Sequence, residues 1–192
     1  MNVLLLLLVL LAPIKVEQGR FTVSKDGKRV GTDEFSVTRR GTGYIVEGKI
    51  TIGDVVKSSR MELDANLMVT SYEASSREGT LRVKITPPVS ELQSVVNGET
   101  SSSDFRFPEG GVILDNDFFH HYLILLYRVQ GGQNAFSVFV PQDLSLGMAS
   151  VRSAGPRIYD LQVGEVRLQA TTDADGSLTK LTVPSANVIV QR

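Results

Sequence analysis

The chain of 192 residues contains no cysteine. That removes disulfides, thiol nucleophiles, cysteine-held iron–sulfur clusters and a lipid-attachment thiol from the chemistry open to it. Tryptophan is also absent, and histidine occurs only as the adjacent pair His120 and His121. Neither sign of charge dominates, since 20 basic and 21 acidic side chains leave a formal net charge of -1. A nucleic-acid partner is therefore not expected, because that binding depends on a basic surface displacing counterions from phosphates. The longest apolar run, Val3 to Ala12, is too short for a membrane-spanning helix, which needs about 20 apolar residues. No P-loop, G-x-S-x-G elbow or dinucleotide fingerprint occurs. No cofactor, no metal and no assigned catalytic residue follows from the motifs.

With 42% hydrophobic residues and almost no net charge, the chain is too apolar to stay disordered and long enough for one domain. The apolar run ends at Pro13, Lys15 and Glu17, which gives it the length of a secretory h-region. Residues 1–18 thus read as a signal peptide, with a periplasmic or secreted location, and 19–192 as a single β-rich domain. Met1 and Asn2 supply no basic n-region, so a short retained anchor or a buried N-terminal strand are the alternatives.

After Gly19 the dominant period is two. Arg20-Phe21-Thr22-Val23-Ser24, Glu34-Phe35-Ser36-Val37-Thr38, Leu81-Arg82-Val83-Lys84-Ile85 and Val166-Arg167-Leu168-Gln169-Ala170 alternate as half-buried antiparallel strands do. Asp26-Gly27 and Asp175-Gly176 signal tight hairpin turns, and Gly41-Thr42-Gly43 a longer one. The pattern predicts strands near 19–25, 29–39, 43–52, 55–64, 67–77, 80–86, 92–97, 102–107, 135–140, 164–172, 177–183 and 187–191, with twelve as an upper count. Residues 141–163, containing Pro141, Gly147, Gly155 and Pro156, read as an irregular connection.

One segment departs from this period. Phe118 to Val129 is apolar on nearly every side and too long for a typical strand, which predicts a helix over 116–130. Asp115, Asn116 and Asp117 offer its N-cap, and Arg128 with Gly131-Gly132 its end. The expected fold is mainly β: a curved antiparallel sheet forming an open or nearly closed barrel, with this one apolar helix packed on its concave side.

The adjacent histidines diverge by about 100° on a helix and lack the spacing of a zinc-binding pair. Asp117 and His121, at i and i+4, form a candidate carboxylate–imidazole pair. Ser177-Leu178-Thr179-Lys180 matches S-x-x-K but follows a turn, where residues three apart face opposite sides of a strand. The turn at Thr171 to Gly176 resembles a calcium loop but has threonine at the first and twelfth ligand positions, Thr171 and Thr182, so the bidentate carboxylate is missing.

The segment Leu114-Asp115-Asn116-Asp117-Phe118-Phe119-His120-His121-Tyr122-Leu123 resembles a family of uncharacterised exported bacterial β-rich proteins. So does the opening from Gly19-Arg20-Phe21-Thr22-Val23 through Lys28-Arg29-Val30-Gly31 and Phe35. Their architecture is similar to that of curved-sheet carriers of lipids and lipoproteins. The resemblance implies an apolar cavity closed by helix, and assigns no activity to any residue. The leading expectation is an exported soluble protein holding a lipid or other apolar small molecule between sheet and helix. Phe118, Phe119, Tyr122, Leu126, Phe136 and Phe139 are its expected ligand-binding lining. The alternatives are a non-enzymatic module that docks an envelope protein, and a hydrolase-like enzyme using Asp117 and His121.

Overall fold

The computed structural model describes residues 15–192. The apolar run and most of the expected signal peptide lie outside the described residues, while the first strand already begins at Glu17. The described residues form fifteen strands in one sheet, against an expected upper count of twelve. In chain order they are β1 (Glu17–Lys25), β2 (Lys28–Arg40), β3 (Gly43–Ile52), β4 (Val55–Leu63), β5 (Val69–Ser76), β6 (Gly79–Lys84), β7 (Ser90–Val96) and β8 (Glu99–Phe105). Then come β9 (Val112–Ile113), the helix α1 (His121–Gln130), β10 (Ala135–Val140), β11 (Ser145–Gly155), β12 (Ile158–Val163), β13 (Val166–Thr172), β14 (Leu178–Val183) and β15 (Val188–Gln191).

The sheet is two meanders joined by the ends of the chain: β1 runs antiparallel to β15, with Val23 opposite Val190. Every pair is antiparallel except β9 with β10. The order runs from β8 at one edge to β9 at the other, so the barrel expected as open or nearly closed is an open sheet. Asp26-Gly27 turns with both φ angles positive (52° and 74°), as the hairpin signal requires. At the second such signal only Gly176 is left-handed, because Asp173 Oδ1 accepts from the amides of Asp175 and Ser177 and sets a wider turn. The prolines 87, 88, 108 and 141 fall between strands, where their missing N–H costs no ladder bond.

Cross-strand register sorts the inward side chains into rows. One row runs Val37, Val46, Met61, Tyr72, Val83, Leu92 across six strands, all buried. Bulky and apolar, it is the core of this half of the sheet. The row beside it runs Phe35, Gly48, Ser59, Ala74, Leu81, Ser94, Ser101. Beyond Phe35 it is mostly small, so space is left above the sheet that something else must fill.

The chain from β9 to α1 supplies that filling. Leu123 to Tyr127 are buried together with inward residues of both meanders, so α1 packs into the core as expected. Its start is later than predicted. Residues 115–120 form turns, and the helix begins at His121 with no side-chain cap of its own. Asp115, the expected cap, instead closes a turn, its Oδ1 accepting the amide of Asp117 at 3.0 Å and its carbonyl that of Phe118 at 3.1 Å. At the other end Gly131 donates to Tyr127 and Gly132 turns left-handed, φ 95°, as the glycine pair predicted.

Residues 141–163 are not an irregular connection but the hairpin of β11 and β12. Apart from Ala149 and Val151, the side chains of β11 from Ser145 to Ser153 are exposed. With glycine, serine and alanine spaced along it, the strand shows no apolar alternation, and its extended form is imposed by β10 and β12 on either side.

Candidate functional site

Two features converge at the small inward row. The first is a chain of buried polar side chains. Asp33 stands on the same face of β2 as Phe35 and Val37, and Ser59 on the same face of β4 as Met61 and Leu63. Their relative exposures are 0% and 5%, and that of His120 is 0%. His120 Nδ1–H donates to Asp33 Oδ1 at 2.9 Å, and Ser59 Oγ lies 2.9 Å from His120 Nε2. The amide of Asp115 donates to His121 Nδ1 at 3.2 Å, so His121 Nε2 carries the proton and donates to Ser59 Oγ at 3.3 Å. Each group thus donates to the next, from the Asp115 amide through His121, Ser59 and His120 to Asp33.

Gly48 explains why this fits. The His120 ring lies against it, and a methyl group there would collide with the ring. Phe35 and Phe118 enclose the imidazole from two further sides, with ring centroids 6.4 and 5.4 Å away. The Ser59–His120–Asp33 distances are those of a nucleophile–base–carboxylate relay. The setting is that of a structural pin: the hydroxyl is shared between two imidazoles and enclosed by rings. A neighbouring hollow of about 390 Å³ lies over Gly48, lined chiefly by Glu34, Ser36, Glu47, Lys49, Ser58 and Arg60. Those side chains alternate with the inward ones, so the hollow is on the outer face of the sheet, away from the Ser59 hydroxyl. Asp33 Oδ2 also accepts the backbone N–H of His120 at 2.9 Å. A carboxylate from β2 thereby serves the N-terminus of α1, where the helix dipole favours negative charge.

The second feature is a cleft of about 670 Å³ where the small row runs on without a filling side chain. Ala74, Leu81, Leu92, Ser94, Val96 and Ser101 bound it on the sheet side, and Phe118 with Leu144 on the other. Lys57 and Asp117 pair in its wall at 2.5 Å. Asp115 reaches it from below, buried, accepting from the Tyr72 hydroxyl and the Gln142 amide. Burial holds the Asp115 carboxyl above its usual range against the pull of those donors. Burial, then the Asp115 charge, raises the Tyr72 phenol. Burial also pushes the His121 imidazole well down, with the neighbouring His120 adding to it.

The expected lining residues divide. Phe118 borders the cleft. Phe119 and Tyr122 pack half-buried against the core. Leu126, Phe136 and Phe139 are fully buried, with Arg128 over the Phe136 ring at 5.3 Å and Phe105 stacked on Phe139 at 4.5 Å. Asp117 and His121 do not pair: Asp117 goes to Lys57 and His121 to Ser59 and the Asp115 amide. The two histidines, expected to diverge, meet at one hydroxyl because His120 precedes the helix and His121 opens it.

Asp33 and Ser59 did not stand out in the sequence. The only signal is a polar residue on the apolar phase of an alternating strand, which becomes informative once the register sets Ser59 beside Gly48. Among the described residues no group of three or more metal-ligating side chains occurs, and no helix is long and apolar enough to cross a membrane. Set against known proteins, the chain matches no family model, no curated protein and no solved structure.

Proposed function

We propose that this is an exported carrier that binds an amphiphilic small molecule, its apolar part held in the cleft between β5–β8 and the Phe118 turn. The observation that carries the reading is the run of small inward residues Ala74, Ser94 and Ser101, which leaves about 670 Å³ beside Leu81, Val96, Phe118 and Leu144. That volume falls within the range of about 300 to 1,000 Å³ typical of small-molecule sites. Burying a methylene is worth about 0.8 kcal/mol, so ten of them supply about the 8 kcal/mol of a micromolar complex. The hydroxyls of Ser76, Ser94, Ser101 and Ser103, with Gln142, suit a polar end of the ligand, so the molecule is amphiphilic and not a plain hydrocarbon.

Uptake of a dansylated C11 fatty acid by the delipidated protein, followed by fluorescence, tests this. The expected result is saturable binding that Val96→Asp and Leu144→Asp both abolish. Both residues are exposed, so these variants keep the far-ultraviolet spectrum of the parent. A folded sample with no uptake would reject the reading. Export is tested separately by N-terminal sequencing of the protein recovered from the cell envelope or medium; recovery in the cytoplasm alone would remove that part.

A further inference from the structure

Ser101, Ser102 and Ser103 all border the cleft, although successive side chains of a strand point to opposite faces. Ala74, Ser75 and Ser76 of the interior strand β5 do the same, so backbone as well as side chains bounds the cleft, which at β8 reaches the end of the sheet. Among the described residues that edge is unpaired: β8 bonds to β7 alone and ends the sheet. Its protection against strand pairing is by charge alone, through Glu99 and Asp104. Glu99 to Phe105 contains no proline and no lysine, and its register with β7 has no bulge. The opposite edge, β9, is only two residues long.

We propose that the β8 edge docks an extended peptide segment of a partner protein, added to the sheet as a further strand. Apolar side chains at alternate positions of the segment enter the cleft beside Leu81, Val96, Phe118 and Leu144. Charge around the edge sets the rest. Glu99 and Asp104 lie on β8 with no cation between them and Glu78 lines the cleft, while the basic side chain among its described lining residues, Lys57, is paired with Asp117. The segment is therefore basic, with lysine or arginine at the outward positions. A second copy of this chain fits poorly, since antiparallel pairing of two β8 strands would set Glu99 close to Asp104 across the ladder, and like charges there are destabilising. A peptide can pair the free N–H and C=O groups of the edge, which are otherwise left to water.

Panning phage-displayed linear nonapeptides on the full protein supplies the probe. Enriched sequences should alternate apolar residues with lysine or arginine. A synthetic copy should lose about tenfold in affinity when amides along one of its edges are N-methylated, and little when the other edge is, because one or two hydrogen bonds of about 1 kcal/mol are removed. Glu99→Lys with Asp104→Lys should weaken it by a similar factor, and the bound peptide should slow hydrogen exchange at β8 amides. No enrichment, indifference to N-methylation, or protection away from β8 would each overturn the proposal. So would a concentration-dependent dimer that itself protects β8, which would assign the edge to a second copy. Fatty-acid uptake that survives while peptide binding fails leaves the carrier reading standing and removes this one.

Discussion

Phe105, at the end of edge strand β8, stacks on Phe139 of β10 with ring centroids 4.5 Å apart and planes within 18°. Among the described residues no backbone ladder joins the two edges of the sheet. Phe107 adds a second, edge-on contact to Phe139 at 6.2 Å. The seam is therefore held by aromatic side chains, and it is separable in a way that a hydrogen-bonded barrel is not. The cleft lies along the same β8 edge.

Phe105→Ala removes the stacking partner while leaving every strand pair in place. Aromatic pairs contribute about 0.5 to 1.5 kcal/mol beyond their area. Amides of β7 and β8 should then exchange faster by hydrogen-exchange mass spectrometry, with those of β1–β4 unchanged. Equal acceleration across the sheet would show that the seam is not a separate unit.

Asp33→Ala leaves the His120 amide and Nδ1–H without their acceptor in a fully buried site. The loss should be about 3 kcal/mol, the upper range for stranding buried donors that had a charged partner. Urea unfolding measures it, and a change below about 1 kcal/mol would mean that the start of α1 is held by apolar packing alone.

Gly48→Ala places a methyl where the His120 ring lies. Overpacking of this kind costs about 1 to 3 kcal/mol. The double variant Gly48→Ala, His120→Ala should be less damaged than the sum of the two single changes, since the clash disappears with the ring. Additive losses would contradict the contact.

His121 carries the clearest pH signature. Its folded-state pKa is held well below the ordinary value of 6.5, so in the window beneath 6.5 the unfolded chain takes up a proton that the folded one refuses. Stability should then fall with decreasing pH there, at up to about 1.4 kcal/mol per pH unit for one proton. His121→Gln should flatten that slope. Asp115 acts with the opposite sign and lower down: its raised pKa favours the folded state as pH falls toward 3.8, which should soften the acid limb. An unchanged slope in His121→Gln would remove the assignment.

Much of the architecture was legible from local patterns. Alternation in residues 20–24 and 34–38 placed Phe21, Val23, Phe35 and Val37 inward, and all four are buried. Asp26-Gly27 gave its turn because only residues tolerant of positive φ fit there. The apolar run from Phe118 marked the one helix, since its length and all-round hydrophobicity suit a buried helix better than a strand. β11 was illegible for the converse reason. Its residues have little preference of their own, and pairing with β10 and β12 decides their conformation.

What the sequence determined by itself was therefore what depends on near neighbours along the chain: the period and inward face of alternating strands such as β1 and β2, the Asp26-Gly27 turn and the presence of a helix. Tertiary structure alone decided where that helix starts, because its carboxylate comes from Asp33, 87 residues away. It alone set Gly48 beneath His120 and aligned Ala74, Ser94 and Ser101 into one unfilled row. Cavities and buried polar chains arise from register between distant strands, and no local pattern carries that register.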